Sequence, residues 1–234
     1  SQWSDYDLSK ISKGGAVYER SAKSLAPSAE VRQLLGLEAE RVTPNELVRA
    51  LLKANVDLLY LGGIGTYVKA STESHADVSD KANDAVRVNG NELRAKVIGE
   101  GANLGVTARA RIEIATKGGH LNSDAIDNSA GVDTSDHEVN IKIALQPELA
   151  KMALTLEQRN RFLTTMTDDV AGLVLRDNYL QTQNLTLEQR NAAVLLDQHA
   201  RVMQTWEKAG RLDRAVEFLP SDEQIATRAQ AGAG

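Results

Sequence analysis

The stretch Lys96-Val97-Ile98-Gly99-Glu100-Gly101-Ala102-Asn103-Leu104-Gly105-Val106-Thr107 passes from apolar to small to polar within twelve positions. Lys96 to Ile98 reads as the end of a buried strand. Thr107 can cap a following helix that carries Ala110, Ile112, Ile114 and Ala115. The loop between them holds three glycines beyond the strand and one asparagine, Asn103. Glycine lets a backbone approach a ligand closely, and asparagine offers both a donor and an acceptor. In an open α/β sheet, ligands lie beyond the carboxyl ends of the strands, where such loops sit. Two readings stay open for these residues alone: a nucleotide or its sugar against the loop, or a plain tight strand-to-helix turn.

Working outward, a second, buried strand is expected over residues 56–61, a compact apolar run that ends in Gly62-Gly63-Ile64-Gly65-Thr66. Gly63-x-Gly65 starts a dinucleotide fingerprint, but Val68 stands where the third glycine belongs. Gly99-x-Gly101-x-x-x-Gly105 has one residue too many, although Asp124 lies near the spacing at which the fingerprint places its acidic residue. A third strand is expected over 121–126, preceded by a helix that stops at Gly118-Gly119. A helix is expected to start near Ser135, where Ser135-x-x-Glu138 forms a capping box, and to break before Pro147. Upstream, Ser28 starts a short helix ending at Gly36. Thr43-Pro44-Asn45-Glu46 combines a cap, a proline at the first helical position and a capping box. Ser12-Lys13-Gly14-Gly15 reads as a packed or mobile loop in preference to an anion site.

After residue 146 the chain turns helical. Thr155-Leu156-Glu157-Gln158-Arg159-Asn160 recurs as Thr186-Leu187-Glu188-Gln189-Arg190-Asn191. Each copy is read as a helix start with its own capping box. Leu163, Met166, Val170, Leu173 and Val174 space for one buried face. Leu195, His199, Val202 and Trp206 do so for a second, which makes His199 a packed core residue. The fold expected is α/β: a partial Rossmann-like parallel sheet of three strands with helices over residues 1–146, then an all-helical region over 147–234.

The 234 residues suit one large domain or two small ones, and 42% hydrophobic with 25% charged residues is ordinary for a globular chain. A net charge of -5 gives no nucleic-acid or anionic-membrane footprint. No apolar run approaches the roughly 20 residues of a membrane helix. Cysteine is absent, which excludes disulfides and thiolate metal sites and suits a reducing cytoplasm. The four histidines lack the pair spacing of a zinc site, Asp168-Asp169 reads as a solvated helix surface, and no metal is expected. The opening Ser1-Gln2-Trp3 reads as the interior of a longer polypeptide, and the Ala- and Gly-rich close as a cut end.

Several long stretches resemble the large bacterial NAD-specific glutamate dehydrogenases. They are Asp57-Leu58-Leu59-Tyr60-Leu61-Gly62-Gly63-Ile64-Gly65-Thr66-Tyr67, residues 97–105, 124–138 and 212–220, and Arg176-Asp177-Asn178-Tyr179-Leu180-Gln181-Thr182-Gln183. The resemblance implies NAD as cofactor and oxidative deamination of L-glutamate to 2-oxoglutarate and ammonia. It also implies an upstream substrate domain that carries the general base and catalytic lysine, and a homo-oligomeric whole enzyme. The isolated chain is then expected to contain no catalytic residue and to be inactive. The smaller glutamate dehydrogenases carry Glu-Gly-Ala-Asn and Asn-Ala-Gly-Gly-Val-x-x-Ser, which Glu100 to Asn103 and Asn128 to Ser135 resemble. Carried over, Asn103 and Asn128 contact the nicotinamide ribose and carboxamide, with Gly62, Gly63 and Gly101 as further cofactor positions. Val132 and Ser135 line the substrate side-chain pocket. This sequence departs from that pattern at Ser129 and Ala130, and its Asp133, Asp136 and His137 replace neutral or aromatic residues. Two other readings remain: a non-catalytic helical module for assembly or regulation, and a different dehydrogenase using Gly99, Gly101 and Gly105 as its fingerprint.

Overall fold

A computed structural model describes residues 5–19 and 21–231. The Ser1-Gln2-Trp3 opening and the last three residues of the Ala- and Gly-rich close lie outside the described residues. The chain divides into two compact units, Ser1–Asp124 and Ala125–Gly234.

In the first unit, α1 (Ala29–Leu35) starts where the Ser28 hydroxyl accepts the Val31 N–H at 3.1 Å, and it ends at Gly36, whose φ of 68° suits glycine. Helix α2 (Pro44–Leu52) carries both halves of the Thr43–Glu46 capping box. These helices close a small core of Leu25, Leu35, Val42, Leu47 and Ala54. The Ser12–Gly15 segment is a packed turn. Gly15 N–H reaches the Ser12 carbonyl at 2.8 Å, and the Ser28 hydroxyl donates to the Gly14 carbonyl at 2.7 Å.

Strands β1 (Leu58–Leu61), β2 (Val68–Lys69), β3 (Val88–Asn89), β4 (Val97–Glu100) and β5 (His120–Leu121) follow, with α3 (His75–Val78) between β2 and β3 and α4 (Ala108–Thr116) between β4 and β5. The main sheet runs β1-β4-β5 and is parallel throughout, with Leu58 opposite Val97, Leu61 opposite Glu100, and Val97 opposite His120. Parallel pairing requires a crossover, and α4 supplies the one from β4 to β5. Strands β2 and β3 pair separately, also in parallel, and Val68 bridges to Val106. The period-two alternation shows in β4, where Ile98 and Glu100 are buried while Val97 is exposed. It shows also in β1, which buries Leu61 but leaves Leu58 and Tyr60 exposed, so the run at 56–61 is a one-sided strand and not the buried one expected. Ile98 joins Leu61, Val68, Val88, Val106, Ala110 and Ile114 in the main core.

The third strand is shorter than the expected 121–126. It stops at Leu121, and α5 (Asp124–Asp127) takes the rest. Asp124 starts that helix, and its side chain accepts the Leu104 N–H at 2.7 Å and faces Arg111 at 3.2 Å, which commits it to the 101–106 loop and α4.

The second unit consists of α6 (Ser129–Ala150), α7 (Leu156–Thr165), α8 (Thr167–Lys208) and α9 (Asp222–Gln230). Three expectations change here. Helix α6 begins at Ser129, so Ser135 lies inside it and caps nothing. It also passes through Pro147 and across positions 146 and 147. Proline removes its own N–H donor, yet its carbonyl still accepts from Lys151 at 3.1 Å, and the helix keeps its last turn. The Thr155 capping box forms, whereas Thr186 lies within the continuous α8. There its hydroxyl donates back to the Thr182 carbonyl at 2.9 Å. Residues 173–185 contain neither glycine nor proline, so nothing ends the helix before Thr186 can start one.

The face expected from Leu163 to Val174 is split by the α7–α8 break at Met166, and only Val174 in it is fully buried. In the second face, His199 is half-buried and pairs with Glu188 at 2.9 Å, and Trp206 is exposed. Asp168 and Asp169 are exposed in the first turn of α8, where negative charge suits the helix dipole. No helix among the described residues is long and apolar enough to cross a membrane.

The repeated hexapeptide gives a direct test. Thr155→Ala removes a working cap and should cost about 1 kcal/mol in chemical denaturation. Thr186→Ala should stay within about 0.5 kcal/mol of the parent. Equal costs at both positions would mean that α8 is interrupted.

Candidate functional site

Two loops leave the carboxyl edge of the first unit's sheet, 62–66 after β1 and 101–106 after β4. They are stitched together by backbone bonds. Ala102 N–H donates to the Leu61 carbonyl at 3.0 Å, Tyr67 and Val68 N–H donate to Gly105 at 2.9 and 3.1 Å, and Thr107 N–H returns to Val68 at 3.0 Å. At the base of the 101–106 loop lies Glu100, 1% exposed. Its Oε1 accepts the Val106 N–H at 2.9 Å, and its Oε2 takes Arg111 Nε and Nη2 at 2.9 and 2.8 Å. Burial pushes the Glu100 carboxyl up, against the opposing pull of the Arg111 guanidinium and the Val106 N–H. Arg111 also reaches Asp124, which accepts the Leu104 N–H. Leu104 is thereby held at φ 58°, unusual for a branched side chain.

The 62–66 loop has a parallel anchor. Arg87 is fully buried, and its Nε donates to the Thr66 carbonyl at 2.8 Å. Asp80 accepts the Thr66 N–H at 2.8 Å and the Asn83 amide at 2.8 Å. The Thr66 N–H, then the Asn83 amide and the Arg87 charge, hold the Asp80 carboxyl below the usual range. Gly65 sits at φ 117°, and a Cβ there would lie 2.2 Å from the Asn83 amide nitrogen.

These clamps leave an exposed ledge of Gly62, Gly63, Ile64, Gly101, Asn103 and Leu104. The glycines do not all serve alike. A Cβ on Gly63 would meet nothing within 4 Å, so that backbone is open to an approaching group. A Cβ on Gly101 would lie 2.0 Å from the Tyr60 hydroxyl, and one on Gly99 3.2 Å from the Tyr60 ring. A Cβ on Gly105 would meet Leu61 at 3.0 Å. The spacing Gly99, Gly101, Gly105 therefore accommodates β1 side chains, and Asp124 is engaged in a clamp. Both observations count against that set as a dinucleotide fingerprint.

In the second unit, Asn128 occupies the position before α6 without capping it through its side chain. The Ser129 hydroxyl donates to Asn178 Oδ1 at 3.0 Å, and the Asn178 amide donates to the Val174 carbonyl at 2.9 Å, so the start of α6 is tied to α8. Val132 and Ser135 follow on α6, both exposed. The first unit thus brings Gly62, Gly63, Gly101 and Asn103 to one sheet edge. The second places Asn128, Val132 and Ser135 on the first turns of one helix. A cavity of about 710 Å³ between α6, α7 and α8 is lined by Ile141, Leu163, Met166, Val170 and Val174 among others, and by none of these expected site residues.

Sequence reasoning missed the two clamps, Arg87–Asp80 and Arg111–Glu100–Asp124. Only their charge at buried positions sets them apart, and burial of an arginine or glutamate is not written in a local pattern. It also missed Ile64, 94% exposed at the tip of its loop.

A pH prediction follows from Asp80. Its folded-state pKa lies below the unfolded value of about 3.9, so its stabilisation is complete above that value and is lost as pH falls through the folded pKa. The stability gap between the parent and Asp80→Asn should be level from neutral pH to about pH 5 and narrow below about pH 4. Denaturant titrations across that range test it, and a gap that widens in acid would refute the assignment.

A family model described as bacterial NAD-glutamate dehydrogenase, catalytic domain, matches residues 1–188. Three curated relatives named NAD-specific glutamate dehydrogenase align with all of this chain. The one from Pseudomonas aeruginosa is 56% identical, the one from Mycobacterium tuberculosis 51% and the one from Halomonas elongata 48%. The chain spans 14% of the Pseudomonas and Halomonas relatives and 15% of the mycobacterial one. With the family model covering most of its length, the chain belongs to the bacterial NAD-glutamate dehydrogenase catalytic-domain family.

Proposed function

We propose that this chain supplies the nicotinamide-side cofactor contacts of an NAD-dependent glutamate dehydrogenase, which oxidatively deaminates L-glutamate to 2-oxoglutarate and ammonia. The observation that carries the reading is the pair of clamped loops at the sheet's carboxyl edge, which present Gly62, Gly63, Gly101 and Asn103 on an exposed ledge. The open space over Gly63 suits a close backbone contact with a cofactor. NAD, when bound, accepts the hydride. The protein's part is to position the ring and tune its surroundings. Asn103 and Asn128 would orient a neutral carboxamide and a ribose hydroxyl without adding charge.

On this reading, Val132 and Ser135 line the pocket for the substrate side chain, and the partial positive charge at the start of α6 favours a carboxylate. Residues 1–146 would belong to the NAD-binding domain and 147–234 to a helical region. The general base and the lysine would come from a substrate domain elsewhere in the polypeptide. The absence of cysteine fits a reducing cytoplasm.

Substitutions in the full-length enzyme test each half. Asn103→Ala should weaken the NAD-dependent step by about 0.5–1.5 kcal/mol, the worth of a neutral hydrogen bond. Unchanged kinetics for both NAD and glutamate would remove Asn103 from the site. Ser135→Ala should raise KM for glutamate by roughly ten- to a hundredfold, because a hydroxyl on a charged carboxylate contributes about 1.5–3 kcal/mol. Its Tm should barely move, since Ser135 caps no helix. A KM equal to the parent's would take Ser135 out of the substrate pocket.

A further inference from the structure

Asp133 and His137 are one helical turn apart on α6, and side chains four positions apart share a face. Asp177 on α8 meets them. His137 Nε2 lies 3.5 Å from Asp133 Oδ1 and 3.8 Å from Asp177 Oδ2, and one ligand atom from each residue falls within 4.8 Å of the others. Both His137 distances are too long for hydrogen bonds, which for an imidazole N–H and a carboxylate oxygen close to about 2.7–3.2 Å. His137 Nε2 and Asp133 Oδ2 are shielded from solvent, and neither has a hydrogen-bond partner. The other Asp177 oxygen faces Arg176 at 3.8 Å, which leaves Oδ2 turned to the histidine. Buried polar atoms without partners are costly, and two of them lie on this trio, His137 Nε2 facing both carboxylates, although the side chains as a whole are a quarter to a third exposed.

We infer that Asp133, His137 and Asp177 form a binding site for one divalent transition-metal ion of the zinc class. Zinc bonds to imidazole nitrogen and carboxylate oxygen run about 2.0–2.2 Å, so two ligand atoms at a tetrahedral angle stand about 3.4 Å apart. The two His137 separations are within a few tenths of an ångström of that spacing. One imidazole and two carboxylates are a borderline-hard donor set, which suits zinc better than a soft cation. Two negative charges match a dication, and three protein ligands leave a fourth position for water. Bound there, the ion fastens the first turns of α6 to α8 beside the Ser129–Asn178 hydrogen bond. The inference does not depend on the glutamate reading.

The test uses the full-length polypeptide, stripped with chelator and given Zn²⁺ alone. Metal content after gel filtration, and Tm with and without Zn²⁺, are compared between the parent and the near-isosteric Asp133→Asn and Asp177→Asn, with His137→Gln as a third variant. The parent should retain one more Zn²⁺ per chain than each variant, with Tm raised by Zn²⁺ only in the parent. Zinc affinity should fall at least about tenfold in each variant, since even outer-shell losses reach 10–100-fold. Co²⁺ in place of Zn²⁺ should give a visible ligand-field absorption in the parent that the variants lack. Equal zinc content in parent and variants, or a parent Tm indifferent to Zn²⁺, would overturn the inference and leave the trio as an ion-paired histidine. The asparagine variants preserve side-chain volume, so a variant Tm near that of the stripped parent keeps the comparison valid if His137→Gln fails to fold.

Discussion

The Glu100–Arg111 pair is the interaction on which the first unit's functional edge depends. Glu100 closes β4, Arg111 lies one turn into α4, and the 101–106 loop spans the interval between them. One carboxylate receives both the guanidinium and the Val106 N–H, and the same guanidinium reaches Asp124, which holds Leu104. Strand, loop, helix and the segment after β5 are thus fixed through a single buried charge. Deleting one partner of such a pair strands the other charge in low dielectric, at a cost of about 3–5 kcal/mol. The arrangement is weak evidence of net stabilisation, since burial itself opposes the ionised form of Glu100. Its use is geometric: it specifies one loop conformation, including the left-handed backbone at Leu104.

The same logic recurs at Arg87 and Asp80, which grip the carbonyl and the N–H of Thr66. Two loops that approach a ligand need rigid roots and open tips. Both roots here are buried charges, and both tips are glycines or exposed residues. Gly101 illustrates how a glycine near a ligand edge can answer to the protein itself. The space its side chain would take is filled by the Tyr60 hydroxyl. Gly63, by contrast, faces open space and is the better candidate for backbone contact with a cofactor. Glycine spacing read as a fingerprint does not distinguish these two uses, because both need only the absence of a Cβ.

How much was legible in the sequence varies with the range of the forces involved. The Ser28, Thr43, Thr107 and Thr155 caps all form where local pattern put them, because the capping residue, its helix and its partner lie within four positions. The apolar runs at 56–61 and 96–100 became adjacent parallel strands for a similar reason, since apolar runs alternating with helices leave few sheet topologies, although each leaves one face exposed. The third strand was misjudged because Asp124, placed inside the expected strand, is committed to Arg111 and the Leu104 N–H. Thr186 and Ser135 carry the same capping pattern as Thr155, yet each lies inside a helix already under way. A cap motif is a permission to start, and it acts only where the preceding residues are not already helical.

Sequence alone determined the parallel α/β unit, the loop that leaves β4, most helix starts and, through long matching stretches, the family. Those features rest on local propensity, on hydrophobic periodicity and on contiguous residues. Only the tertiary structure decided that Arg87 and Glu100 are buried clamps, that α6 begins at Ser129 with Ser135 in its interior, and that Asp177 of α8 meets Asp133 and His137 of α6. The clamps and the Asp177 meeting join residues on separate elements, and the start of α6 is tied to α8 through Ser129 and Asn178. The free energy that places them, packing and desolvation of charge across the fold, has no term that depends on neighbouring letters alone.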